Sequence, residues 1–200
     1  MKTVTLKSSG ITLLVAGLTI SGLTYLWTRE MNTVPLSMPI TLSRGHFHSP
    51  VFKARVTLQH EISITFNRSL PPDQMECFIG MNLGSNNCTD QPSILNVRWK
   101  LISEQRTIAG DSSSERGAAY SDVIERFIGR FEAKRGTNYT LAFDVLEDGS
   151  RLAPAHPLLE IKPNLNGSEA SLMLAGFAFY AGLVCAAVGV ILVYRSAFGA

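Results

Sequence analysis

The sequence predicts an all-β antiparallel sandwich, immunoglobulin-like or jelly-roll in arrangement, flanked by two transmembrane α-helices. Three observations carry this reading. Residues 11–27, ITLLVAGLTISGLTYLW, and residues 171–194, SLMLAGFAFYAGLVCAAVGVILVY, are apolar and uncharged. The stretch between them repeatedly alternates apolar and polar residues with period two. Turn signals rich in Gly, Pro, Asn, Asp and Ser recur there roughly every ten residues, the spacing of short antiparallel strands.

The predicted organisation is a cytoplasmic tail over 1–10, a first span over 11–27, an extracytoplasmic domain over 28–170, a second span over 171–194 and a cytoplasmic tail over 195–200. About 143 residues between the spans suffice for one domain with its own core, so stability requires no metal or dense disulfide network. Net charge is +2 and the sequence pI is near 8.5. No run of Lys and Arg interleaves with aromatics, so nucleic acid is not an expected partner, and no motif implies a cofactor.

The first span covers about 25 Å as a helix, the short end of what crosses a membrane. Lys2 and Lys7 precede it like the basic region of a signal peptide, with a weak cleavage point after Ser21 as the competing reading. Tyr25, Trp27 and Arg29 instead end it as an interfacial belt ends a retained span. The second span is about 36 Å long and crosses a hydrocarbon layer of about 30 Å with some tilt. Lys2, Lys7 and Arg195 balance Arg29, Arg44 and Lys162 across the two sides. The usual dominance of the first helix, and the ease with which a long loop translocates, favour both termini inside and the domain outside.

Small residues stripe the second span at intervals of four: Ala178, Gly182 and Ala186, and beside them Ala181, Cys185 and Gly189. A shorter counterpart on the first span is Gly17 and Ser21, with Leu18 and Gly22 alongside. Such faces let another helix approach closely where lipid offers no hydrophobic gain, so the second span is expected to pack against the first span or a helix of another protein.

Within the domain, VTLQHEISITF over 56–66 places Val56, Leu58, Ile62, Ile64 and Phe66 on one parity. His60 interrupts the apolar set, with a bend or bulge expected there. LNVRWKL (95–101) and NYTLAFDVL (138–146) alternate in the same way, the latter followed by the turn signal EDGS. Shorter strand candidates are PLSMPITL, CFIGMNL, RTIAG and PLLEI. In SDVIERFIGRFEAKRG the first part reads as helical or turn-like and RFIGRFEA as a strand, because Gly129 weakens a helix. GDSSSERGA (110–118) reads as a polar loop.

Chemistry-bearing patterns are sparse. Cys77 and Cys88 lie eleven apart around a Gly, Ser and Asn turn, compatible with a disulfide on the exported side. Cys185 reads as a packing residue. His46 and His48 place two imidazoles on one side of an extended segment, a weak metal-site signal that His60 or His156 would have to complete. Asp144, Glu147 and Asp148 lack the spacing of a calcium loop. There is no G-x-S-x-G and no carboxylate pair at a recognisable catalytic spacing. Asn-x-Ser/Thr occurs at Asn67, Asn87, Asn138 and Asn166, acceptors only if the chain meets a glycosylating compartment.

The sequence therefore points to a two-pass protein in a cytoplasmic or plasma membrane, with a periplasmic or extracellular domain. Its partners are the lipid bilayer and a membrane or exported protein, and its expected role is that of an accessory subunit or inhibitor rather than an enzyme. The competing reading is an envelope ligand- or metal-binding domain, including a carbohydrate-directed hydrolase, centred on His46 and His48.

Overall fold

The computed structural model describes residues 2–80, 88, 93–112, 117–165 and 169–198. In chain order its elements are α1 (Lys2–Met31), β1 (Leu36–Pro39), β2 (Gly45–His48), β3 (Phe52–Lys53), β4 (Gln59–Asn67), α2 (Pro72–Phe78), β5 (Val97–Ser103), β6 (Arg106–Ser112), β7 (Ala118–Tyr120), β8 (Val123–Glu132), β9 (Asn138–Val145), β10 (Leu158–Pro163) and α3 (Glu169–Phe198). The chain divides into two units: residues 1–32 with 165–200, and residues 33–164.

The first unit is the pair α1 and α3, each 30 residues long. Both helices extend beyond the apolar stretches, because the flanking residues, including Lys2, Lys7, Glu30 and Arg195, favour or tolerate helix as readily as Leu does. Both are long and apolar enough to cross a membrane. Three threonine hydroxyls of α1 are satisfied within the helix: Thr12 donates to the Ser8 carbonyl at 3.0 Å, Thr19 to Val15 at 2.8 Å and Thr24 to Ile20 at 2.8 Å. Such back-bonding removes the penalty of placing a hydroxyl on an apolar helix.

The second unit consists of two antiparallel sheets, ordered β1-β10-β4-β8-β7 and β2-β9-β5-β6, with β3 pairing β9 beside the latter. Alternation explains the core. Val97, Trp99 and Leu101 of β5 and Tyr139, Leu141, Phe143 and Val145 of β9 point inward, as do Ile62, Ile64 and Phe66 of β4 and Leu159 and Ile161 of β10. Side chains of both sheets thus fill one core.

His60 keeps the inward parity of β4 rather than breaking it: it is fully buried and stacks on Phe131, ring centroids 5.6 Å apart. The irregularity falls elsewhere. The β4–β8 register shifts between Ile62 and Ser63, so that Ile128 is an extra residue on β8. Val56 and Leu58 lie ahead of β4, in bends laced to the turn after β8 by Ala133 N to Leu58 O at 3.0 Å and Arg135 N to Thr57 Oγ1 at 2.9 Å.

The outer face of β4 is covered by charge. Lys162 on β10 is level with Glu61, and Glu125 on β8 is level with Thr65. Their ion pair, Nζ to Oε2 at 2.6 Å, therefore runs diagonally across β4 at the level of Ser63, which is fully buried. Arg130 adds a pair to Glu61 at 3.3 Å.

Several local expectations are corrected. CFIGMNL is not a strand over its described part; Cys77 and Phe78 end α2, whose first turn holds Pro72 and Asp73 and whose Met75 and Phe78 face the core together with Ile79. Proline at the first helical position, an acidic first turn and apolar residues three and four apart are helix-start signals. The first part of SDVIERFIGRFEA is strand, not helix, because β8 pairs with β4 from Val123 onward and this pairing overrides local propensity. HFH lies on β2, an extended segment as read, and within 110–118 the ends belong to β6 and β7.

Candidate functional site

In the helix pair, the buried positions of α1 include Gly10, Gly17 and Ser21, and those of α3 are Ala175, Gly182, Ala186 and Gly189. The helices run antiparallel: Gly10 faces Gly189, and Gly17 faces Gly182 and Ala186. Backbones approach so closely that a methyl group on Gly189 would lie 2.6 Å from the Gly10 carbonyl oxygen, and one on Gly17 would lie 2.6 Å from the Ala186 nitrogen. Ser21 Oγ crosses the interface to donate to the Phe179 carbonyl at 3.0 Å.

The helix facing the small residues of the second apolar stretch is thus α1. Of the two expected rows, Gly182, Ala186 and Gly189 are buried, Ala178 and Cys185 are half-buried, and Ala181 is exposed. Ala181 is corrected out of the face. The contact follows a seven-residue spacing from Ala175 to Gly182 to Gly189, which stays on one side of a 3.6-residue helix better than repeated steps of four. On α1, Leu18 and Gly22 are exposed, and nothing lies within 4 Å of the place a Gly22 methyl would take.

The rest of the pair inverts the pattern of a water-soluble protein. Its exposed residues include Ile11, Val15, Leu18, Leu23, Leu26 and Trp27 on α1 and Leu174, Phe177, Tyr180, Val184, Ile191 and Tyr194 on α3. Small residues face inward and large apolar ones outward.

In the second unit, Cys77 and Cys88 form a disulfide with Cα atoms 5.4 Å apart. The Gly, Ser and Asn turn over 81–87 lies outside the described residues, as do Asn87 and Asn166. Asn67 and Asn138 are exposed at strand ends.

His46 and His48 are exposed on β2, on the outer face of its sheet. His46 Nδ1 pairs with Asp144 Oδ1 of β9, while His48 lies level with Ala142. His60 is in the core and His156 follows the 3-10 turn Ser150–Ala155, so neither joins the pair. Among the described residues no group of three or more His, Cys, Asp or Glu side chains converges as a metal site requires.

Two shallow hollows lie on the second unit. One, of about 450 Å³, is lined by Arg98, Lys100, Thr107, Gly110 and Asp111 on β5 and β6. The other, of about 340 Å³, lies between β1 and β2 and is lined by Met38, Ile40, Thr41, Phe47 and His48. The latter opens where the edge strands of the two sheets come together, and is largely apolar. No sequence motif marks either hollow, because each depends on which strands become edges.

His60 is an ionisable group buried in the core of this unit. Its Nδ1 lies 3.0 Å from the Leu58 carbonyl oxygen, which can only accept, so Nδ1 carries the proton. Among the described residues nothing hydrogen-bonds its buried Nε2. Burial pushes its pKa below the ordinary imidazole value, opposed by the Leu58 hydrogen bond and the charge of Glu132.

No family model matches the chain, and no curated protein matches it. Among solved structures, the chain is similar to a protein from Sulfurospirillum deleyianum, at 12% identity and a TM-score of 0.49, over 64% of this chain and 96% of that one. A likeness at that level supports no functional argument.

Proposed function

We propose that the chain is a two-pass membrane protein whose central domain, a β-sandwich of immunoglobulin-like or jelly-roll kind, binds a protein partner at the outer surface of the membrane. The observation that carries the membrane reading is the inside-out helix pair. Helices that expose Leu, Phe, Val and Ile on every face but bury Gly, Ala and Ser against each other suit hydrocarbon, where close backbone packing replaces the hydrophobic effect as the cohesive force.

Charge at the helix ends bears on orientation. Because the helices are antiparallel, Lys2, Lys7 and Arg195 fall at one end of the pair with no acidic residue of either helix. Arg29, Glu30 and Glu169 fall at the other. With Arg44 and Lys162 counted the Lys and Arg tally is even, so the orientation proposed rests on the usual dominance of the first helix, preceded by Lys2 and Lys7, and on the ease with which a long loop translocates: both termini inside and residues 33–164 outside. The Cys77–Cys88 disulfide suits an oxidising compartment.

Binding is favoured over catalysis because both chain connections leave the domain at the same end: Leu36 pairs with Ile161, next to the entry at Thr33 and the exit at Asn164. A doubly tethered domain has restricted orientation and a high effective concentration toward membrane neighbours, which serves an accessory subunit or inhibitor more than an enzyme for diffusible substrates. The apolar hollow at Met38, Ile40 and Phe47 is its best-suited contact surface.

Two measurements test this. A single thiol at Ser121 should react with an impermeant reagent from outside intact cells, and thiols at Ser8 and Ser196 should not; labelling of Ser8 from outside would overturn the orientation. Cross-linking of the full chain in mild detergent should yield a stoichiometric protein partner whose recovery falls with Met38→Asp. Stoichiometric zinc or copper lost on His48→Ala would instead support the ligand-binding reading.

A further inference from the structure

The two ends of the unit 33–164 differ in charge. At the end where the chain enters and leaves, β3 and the segment after it carry Lys53 and Arg55, and the turn after β8 carries Lys134 and Arg135. The hairpin tip of β5 and β6 adds Arg106 at the same end, since Ser103 Oγ donates to the Asn138 carbonyl at 3.0 Å. The carboxylates of these loops are Glu104 and Glu132. At the opposite end, α2, the 3-10 turn and the described loops carry Asp73, Glu76, Asp122, Glu147 and Asp148 against Arg44, Arg68 and Arg151.

The loops of the basic end are held in place by hydrogen bonds. Ala54 N donates to Thr137 O at 3.2 Å, Gly136 N to Ala54 O at 2.8 Å and Lys134 N to the Tyr139 hydroxyl at 2.9 Å. Tyr139 in turn packs on Phe52 and Phe131 in the core. The loops are thus stitched to each other and to an aromatic cluster, while Lys53, Arg55, Lys134 and Arg135 all remain exposed. A rigid rim of exposed cations, at the end from which the chain runs into two membrane-competent helices, suits an outer leaflet that carries anionic headgroups.

We infer that this rim, with Lys53, Arg55 and Lys134 as its principal cations, docks onto the anionic headgroups of the bilayer the helices cross. The inference rests on the membrane-spanning reading above. Docking would hold the domain against the membrane and turn the opposite, acidic end toward other proteins. The shared chemistry is a phosphate group, and the source is the lipid surface, because several cations spread along two loops match a plane of charges better than a single free ion.

The test uses the full chain with Cys185→Ala and an added thiol, Asn138→Cys, carrying a fluorophore at the basic end; a second variant carries the fluorophore at Ser121→Cys, at the opposite end. Energy transfer to headgroup-labelled lipid is measured in vesicles of phosphatidylcholine alone and in phosphatidylcholine mixed with phosphatidylglycerol. Transfer from position 138 should rise in the anionic vesicles, fall at high salt, and persist in excess inorganic phosphate at matched ionic strength. Each cation removed by Lys53→Gln, Arg55→Gln or Lys134→Gln should lower the docked-to-undocked ratio roughly fivefold. These exposed positions leave the core intact, and near-ultraviolet circular dichroism verifies it. Equal transfer in both vesicles, or release by inorganic phosphate, overturns the inference. Co-flotation with both vesicle types after an alkaline wash is scored separately: a chain that floats but shows no lipid preference refutes docking alone, and one that does not float refutes the membrane reading as well.

Discussion

Trp99 on β5 donates its indole N–H to the carbonyl oxygen of Ile128 on β8 at 2.9 Å, reaching from one sheet to the other through the core. The bulge that makes Ile128 an extra residue leaves its carbonyl available, and the next residue, Gly129, has no side chain because the indole occupies the space where a methyl would lie. Bulge, glycine and tryptophan form one arrangement. Trp99→Phe should destabilise the domain by about 1–3 kcal/mol, since it strands a buried acceptor. Gly129→Ala should do so by a similar amount through overpacking. Urea unfolding of the two single variants and the double variant tests the coupling; strict additivity would refute it.

The β5–β6 hairpin turns through Glu104 and Gln105 at φ of 49° and 64°, a pair of left-handed residues where Asn-Gly is the usual solution. Glu104→Asn with Gln105→Gly should raise stability by about 1–2 kcal/mol by relieving that strain. A change within error in the unfolding midpoint would contradict the turn geometry.

Acid should destabilise the domain through His60. Its folded pKa lies below the ordinary value of 6.5, so the unfolded chain binds the proton more readily. The stabilisation is complete above that ordinary value and is lost as pH falls from it toward the lowered one. His60→Phe, which can still stack on Phe131, should flatten the difference in unfolding free energy between about pH 7.5 and about pH 5. An unchanged slope in this variant would clear His60 of the effect.

The helix pair should be sensitive at its small residues and indifferent elsewhere. Gly182→Leu must push α1 away, because Ser21 and the Gly17 backbone fill the space, whereas Gly22→Leu points into open space. Ser21→Ala removes the bond to Phe179 and should cost about 0.6 kcal/mol. Distances between spin labels at Ser8 and Ser196 should broaden for Gly182→Leu alone; equal broadening for Gly22→Leu would remove the close-packed interface.

Reduction of the Cys77–Cys88 bridge should lower the stability of the domain by about 3 kcal/mol, from the loop it closes in the unfolded chain across a sequence separation of 11. A thiol count showing both cysteines free in exported, non-reduced protein would refute the bridge and weaken the assigned topology with it.

What the sequence determined by itself was whatever rests on local pattern. Two long uncharged apolar stretches can only be helices if they meet lipid, and period-two alternation in 95–101 and 138–146 made those segments strands with a buried face before any partner strand was known. Pro72 and Asp73 carry a helix-start signal for α2, but the apolar residues after them read as strand, and that reading failed. Tertiary structure decided what depends on distant parts of the chain. His60 became a core residue because the Phe131 ring, some seventy positions away, offered it a stacking surface. His46 meets Asp144 because β2 pairs with β9. Which small residues of α3 pack was settled by the antiparallel course of α1, and the basic rim exists only because the turns after β3 and β8 fold onto one another. Local pattern fixes which face of an element is buried, but only the pairing of elements far apart in sequence fixes what that face meets.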